Sequence, residues 1–460
     1  MAANGKPGTR PDGMARNSTT SNGIGRNTEE SASTARDGTI RAALGYRDFR
    51  ILLAGLAVSQ LGDWLYNVAL VAFVYQRTGS ALWAGVTTVA RIVPMVVLGP
   101  LGGLVADRFG RRGMMIACDL MRAALMLALA LVVAGRLPVV LAPVIAALAT
   151  AAAAPYLPSV AGTTPKLVAD ADLPGANAAR SAVTAATVVA GPALGGLLLF
   201  GSPALAFAGN AVTFGVSALC VMAIRAREAF APDGAARPGG DDEPGGDDDG
   251  DGGLTRQLAE GISALRAHPV AMRLVGADIV CSLVYGMQTV LFVLVAGDRL
   301  GLHGYGYLFA AMGAGGLAGA AMAGRAARLP YRPVLTAALA LVGTPLLLLS
   351  VVHWGPAIIV LAGLSGVGAM LVEVMTETGL QRMVPPEVFG RAYGIAIPAS
   401  IAAIGAGALI APALVSAIGL TGALAACGAT SVAYCGLLLR SMSSQGADDL
   451  PRLSQEAVRA

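Results

Sequence analysis

Gly103-Leu104-Val105-Ala106-Asp107-Arg108-Phe109-Gly110-Arg111-Arg112 follows one apolar run of about twenty residues and precedes another. Three arginines and an aspartate crowd its last six residues, with glycines on both sides. The core of a bilayer has no water to solvate that much charge. The stretch therefore reads as a tight cationic turn at a membrane surface, joining two spans.

Composition agrees with that placement. The chain has 460 residues, 55% hydrophobic and only 13% charged, with mean hydropathy +0.67, whereas soluble domains carry about a quarter charged residues. This is the profile of an all-α membrane protein. The net charge of +4 matters less than its distribution, because Lys and Arg collect in cytoplasmic loops, and nucleic acid is not an expected partner. Cys118, Cys220, Cys281, Cys427 and Cys435 all fall in apolar runs without CxxC spacing. They are expected to be small buried hydrophobes, with no disulfide and no metal site.

Apolar runs separated by Gly, Pro and charge give twelve spans: 50–75, 82–106, 113–135, 137–158, 178–200, 203–225, 271–296, 304–326, 332–352, 356–380, 392–417 and 420–440. The Gly/Ser/Asn-rich segment 1–45 is expected to be a disordered cytoplasmic N-terminus, with no signal peptide, so that the first span acts as the insertion signal. Basic residues alternate between loops. Arg47, Arg50, Arg108, Arg111, Arg112, Lys166, Arg225, Arg227, Arg325, Arg328, Arg332, Arg382, Arg391 and Arg440 fall on one side, against Arg77, Arg136 and Arg299 on the other. Both termini are thus expected in the cytoplasm of a cell inner (plasma) membrane protein.

Six-helix bundles are expected at 46–226 and 271–440, joined by a cytoplasmic linker at 227–270, with a tail at 441–460. The linker carries Asp241-Asp242-Glu243 and Asp247-Asp248-Asp249 among glycines. This reads as a solvated coil, since a calcium loop would need alternating ligands and a terminal Glu. Leu258, Ile262 and Leu265 then mark a short amphipathic helix, Leu254 to Ala267, on the membrane surface.

Two six-span halves suggest related repeats with a site between them at mid-membrane. The chain resembles the major facilitator superfamily, and within it the bacterial drug and secondary-metabolite efflux branch. Gly103, Asp107, Arg108, Gly110, Arg111 and Arg112 match that superfamily's loop signature, G-x-x-x-D-R-x-G-R-R, between spans two and three. Gly191, Pro192, Gly195 and Gly196 resemble the GPxxGG core of a motif associated with exporters, with Thr187 in place of the motif's upstream glycine. Small residues there permit close helix contact, and Pro192 can bend the span. Asp63, Arg91 to Pro94, Asp119 to Arg122, Ala176-Asn177 and Gln381 to Arg391 add weaker similarities, so the resemblance runs from about Tyr46 to Leu439. It implies that Asp107 contacts the other half near the start of span eleven and holds the cytoplasmic gate shut. The corresponding turn of the second half, Gly324 to Arg328, lacks the aspartate.

Charges within the spans are the candidates for coupling. Asp63 and Arg91 lie near mid-membrane, roughly 20 Å and 14 Å along their helices, where an isolated charge needs a partner or a wet cavity. They are expected to pair with each other or to take part in proton coupling. Asp119 and Arg122 share a face of span three, which points to a local ion pair or a bond to the hairpin. Asp278, Glu373 and Glu377 are the counterparts in the second half, with Glu373 the stronger proton candidate and Glu377 nearer a gate position. The resemblance also implies a cavity lined by spans one, four, seven and ten, here contributing Tyr66, Asn67, Tyr156, Tyr285, Met287, Gln288, Met370 and Glu373.

The resulting expectation is a secondary transporter that exports hydrophobic or amphipathic small molecules in exchange for protons by alternating access. A bilayer and a small-molecule substrate are its partners; no cofactor, no metal and a monomeric state are expected. An importer of a small nutrient is the alternative. An enzyme is disfavoured because His268, His303 and His353 are scattered, with no nucleophile and base set, and no GxxxxGK[ST] loop suggests ATP drive.

Overall fold

The computed structural model describes residues 39–198, 203–230, 269–301, 304–326, 329–383 and 386–443. The expected acidic segment, the amphipathic helix at 254–267, the first 38 residues and the tail beyond 443 lie outside the described residues. Helices account for all regular structure among the described residues.

The helices are α1 (Arg47–Thr78), α2 (Ala81–Phe109), α3 (Arg111–Val133), α4 (Leu141–Lys166), α5 (Leu173–Leu198), α6 (Pro203–Ala223), α7 (Pro269–Val295), α8 (Gly304–Ala326), α9 (Tyr331–Leu349) and α10 (Gly355–Met383). The last stretch, Pro386–Ser443, breaks at Gly419 (φ +72°) into α11 (386–418) and α12 (420–443). Ten stretches of the described residues are long and apolar enough to cross a bilayer, and one of them, Ala396–Arg440, contains the Gly419 break. With α5 they make twelve helices, the number expected, arranged as two six-helix bundles.

Two details differ from the sequence reading. The charged hairpin shrinks to one residue: α2 runs to Phe109, Gly110 takes φ +79°, and α3 begins at Arg111. Only glycine adopts that backbone without strain, so the glycine alone turns the chain and the arginines start the next helix. The fourth span starts later than expected, at Leu141, and is interrupted at Ala154-Pro155, where proline has no N–H to continue the ladder.

Within the first half α1 packs on α5 and α6, and α3 on α6; within the second, α8 packs on α10 and α9 on α10. The halves meet along two seams, α2 with α11 and α5 with α8. Adding six to each helix number converts one seam into the other, as a twofold repeat requires. Backbones approach closely where side chains are absent. Gly286 of α7 faces the Ile404 carbonyl of α11 while Gly407 of α11 faces the Leu283 carbonyl, and Gly343 and Gly428 tie α9 to α12 in the same reciprocal way. Outward faces are apolar, as Leu205, Val212, Val216 and Leu219 on α6 show; such a stripe suits lipid contact.

One end of the molecule is packed solid. Val68 to Val74 of α1 are all buried, as are Gln288 to Val293 of α7, and Tyr75 lies beside Gly297. Arginines fasten this end: Arg77 donates to the Val133 carbonyl at 3.0 Å, and Arg299 donates to the carbonyls of Leu349 and of Val352 at 2.8 Å. The C-terminal end of a helix leaves carbonyls unpaired and carries partial negative charge, so each arginine caps a neighbouring helix. This explains why two arginines sit on the otherwise cation-poor side. At the opposite end Arg111 donates to the Gly162 carbonyl and Arg112 to the Met222 carbonyl, both at 2.7 Å. Asp48 there accepts from the backbone N–H groups of Arg225 and Ala226.

Candidate functional site

The half of the molecule that holds the N-termini of α1 and α7 contains a cavity of about 380 Å³. Its wall comes from α7 (Asp278, Cys281, Ser282, Tyr285), α8 (Met312, Gly313, Gly316), α10 (Gly366, Met370, Glu373, Thr376, Glu377, Leu380) and α11 (Ala396, Ile397, Ser400, Ile401, Ile404). Trp64 of α1 and Val188 of α5 close it from the first half. On α7 the positions recur at intervals of four and three, and on α10 Met370, Glu373, Glu377 and Leu380 do the same, so each helix presents one continuous stripe. Gly366 of α10 packs on the Met312 carbonyl of α8 and Gly315 of α8 on the Gly363 carbonyl of α10, drawing the two helices together beside the cavity.

The described wall carries the hydroxyls of Ser282, Tyr285, Thr376 and Ser400, and its charged groups, Asp278, Glu373 and Glu377, are all acidic. Ser400 donates its hydroxyl hydrogen to Asp278 at 2.5 Å. Glu373 and Glu377 lie one turn apart on α10 and are exposed, both lining this cavity. The Thr376 hydroxyl is buried with no hydrogen-bond partner among the described residues. No group of three or more His, Cys, Asp or Glu suited to a metal ion occurs among the described residues.

A second polar group occupies the first half. Arg122 pairs with Asp63, approaches Ser59 at 3.5 Å and lies 3.9 Å from the centre of the Phe214 ring. Arg91 instead donates to the Tyr66 hydroxyl at 3.0 Å. The expected Asp63–Arg91 pair is therefore replaced by Asp63–Arg122, because α1 turns Asp63 toward α3 and Tyr66 toward Arg91. The expected Asp119–Arg122 pair is likewise not formed. Asp119 is fully buried, and among the described residues neither of its carboxylate oxygens has a hydrogen-bond partner, since its neighbour's guanidinium is already engaged.

Of the residues expected to line a cavity, Tyr285, Met370 and Glu373 do so, joined by Asp278 and Glu377. The others are placed elsewhere. Tyr66 is buried against Arg91, Tyr156 bonds Ser217 at 2.9 Å, Gln288 bonds Ser365 at 2.7 Å, and the Asn67 amide oxygen is buried without a partner. Met287 is buried as well. The cavity draws on α5, α8 and α11 instead of α4, so Trp64, Cys281, Ser282, Met312, Thr376 and Ser400 were missed. Ser282, one turn from Asp278 and near Tyr285, and Thr376 between two glutamates carry a helical-spacing signal that could have found them.

In the loop motif, Gly110 is the turn, and Arg111 and Arg112 are the caps described above, with Arg112 also 5.9 Å from the Phe230 ring centre. Arg108 is exposed on the last turn of α2. The surroundings of Gly103 and Asp107 lie outside the described residues, as do those of Pro192, Gly195 and Gly196. Gly191 packs directly on Trp64. Thr187, the departure from the motif, donates to Gln60 at 2.7 Å while Gln60 donates to Thr184 at 3.3 Å. The threonine thereby clamps α5 to α1.

A family model described as Major Facilitator Superfamily matches residues 52–329. The chain is 27% identical over 381 residues to the multidrug efflux pump Tap of Mycobacterium tuberculosis, spanning 81% of this chain and 88% of that protein. It is 27% identical over 151 residues to macrolide efflux protein A of Streptococcus pyogenes, covering 33% of this chain and 37% of the other. Among solved structures, that of the nucleoside transporter NupG superposes with a TM-score of 0.63 at 11% identity, covering 86% of this chain and all of that one.

Proposed function

This chain belongs to the Major Facilitator Superfamily, and from that membership we propose that it exports amphipathic small molecules across the plasma membrane in exchange for protons. A multi-pass membrane transporter follows from the family and the apolar helices.

The observation that carries it is the cavity. Its wall is mostly apolar and aromatic, with three carboxylates set among Trp64, Tyr285, Met312 and Met370, a composition suited to molecules with a large greasy body and few polar groups. It opens in the half of the bundle next to the basic loops, while the far end is packed shut. With the basic loops in the cytoplasm, this is the state that loads cargo from inside the cell. Efflux pumps among the relatives support the outward direction, as does the span-five motif. Asp278, Glu373 and Glu377 are the groups assigned to proton exchange, and Asp107 to a latch between the halves on the cytoplasmic face. In this reading the bundles at 46–226 and 271–440 rock about the cavity, and both termini and the linker are cytoplasmic.

The test is transport by the full chain in inside-out vesicles with an imposed pH gradient, acid inside, using a panel of amphipathic dyes and antibiotics. Gradient-dependent accumulation inside these vesicles is expected. Equal accumulation with and without the gradient would reject proton coupling, and movement in the opposite direction would reject export.

A further inference from the structure

We propose that the cavity is built for an organic cation, whose positive charge sits among Asp278, Glu373 and Glu377 while its apolar body lies on Trp64, Tyr285 and Met370. The proposal rests on the transport reading above and narrows its cargo.

The first support is charge accounting. Among the described residues the cavity wall carries three carboxylates and no Lys, Arg or His. None of the three forms an ion pair among the described residues, and Asp278 has only the Ser400 hydroxyl. The basic side chains of the neighbouring half are committed elsewhere: Arg122 to Asp63 and Arg91 to Tyr66. Like charges gathered in a low-dielectric wall repel one another, and among the described residues no cation pairs with them. A cationic ligand would relieve them on entry, whereas an anion would add to the repulsion.

The second support is independent of charge. Thr376 is 4% exposed, lines the cavity between the two glutamates in sequence, and its hydroxyl oxygen has no hydrogen-bond partner among the described residues. Buried hydroxyls are ordinarily paired, so this one is left for a ligand. The third is the remainder of the wall. Ring faces and thioethers attract a cation that carries carbon substituents, and a lining that is otherwise largely apolar disfavours a hydrated inorganic ion. The volume of about 380 Å³ fits a drug-sized molecule.

The experiment uses the purified full-length protein in lipid nanodiscs. Equilibrium binding of radiolabelled tetraphenylphosphonium is compared with tetraphenylborate, of similar shape and opposite charge, each corrected for partition into protein-free discs. Saturable binding of the phosphonium and none of the borate is expected. Glu373→Gln and Asp278→Asn should each weaken phosphonium binding about tenfold or more, the scale of a lost charge contact away from bulk water, and Thr376→Val should weaken it less. Absence of phosphonium binding, or borate binding of equal strength, overturns the proposal, and this comparison needs no variant. Unchanged affinity in neutralised variants that stay monodisperse overturns it too. Outward transport of neutral compounds with no preference for charge would sink the cation inference and spare the exporter. Charge-selective binding joined to inward transport would do the reverse.

Discussion

Asp63 and Glu373 are both carboxylates within membrane-crossing helices, yet their surroundings assign them different work. Asp63 is held by Arg122, whose side chain is 7% exposed, and the pair ties α1 to α3. Removing one partner strands the other charge. Arg122→Ala should therefore destabilise the protein by about 3 kcal/mol, at the low end for a broken buried pair because Asp63 keeps 32% exposure. Thermal unfolding in detergent would show it, and Asp63→Asn should follow the same direction. Glu373→Gln removes no partner and should leave the melting temperature near the wild type while abolishing gradient-driven transport. Normal coupled flux in that variant would remove Glu373 from the mechanism. Asp119→Asn should be neutral or stabilising, since no hydrogen-bonding partner is lost. The sequence placed these charges on the right helices but could not pair them. Asp63 and Arg122 are 59 positions apart, and their meeting depends on how each helix is rotated, which apolar run lengths do not encode.

Helix ends and glycine contacts set the strength of individual elements. Arg77 is exposed and makes one carbonyl bond, whereas the Arg299 side chain is 3% exposed and makes two. Arg299→Ala should accordingly cost about 2 kcal/mol and Arg77→Ala no more than about 1 kcal/mol, read as shifts of the detergent melting curve. Gly286→Val would drive a side chain into the Ile404 carbonyl, so α7 and α11 must separate, and the yield of folded protein should fall sharply. The twelve helices themselves were legible because a span needs an uninterrupted apolar run, and Gly110 was legible as a turn. The break in α4 was less so: Pro155 stands inside a hydrophobic stretch, where proline reads equally as a kink or an end. The lining was misassigned for a related reason. It depends on which side of α5, α8 and α11 faces inward, and those helices, rich in Gly and Ala, have little amphipathic contrast to reveal a face.

The whole molecule is shut at one end and hollow near the other. If the halves rock about the cavity, the packed contact between α1 and α7 must open once per cycle. Joining Tyr75→Cys to Gly297→Cys with a short bis-maleimide should stop transport, while either single variant treated alike should retain it. Transport through the bridged protein would show that this end does not open. The control is necessary because five native cysteines are present, three of them buried.

The arginine caps have one more consequence. Guanidinium groups stay protonated across the physiological range, and peptide carbonyls do not titrate there. A joint made from the two keeps its strength whether the water beside it is acidic or neutral. The rims of both bundles are thus fastened by acidity-blind rivets, set apart from the carboxylates that line the cavity. Fastening and the proton exchange proposed above thereby fall to separate residues.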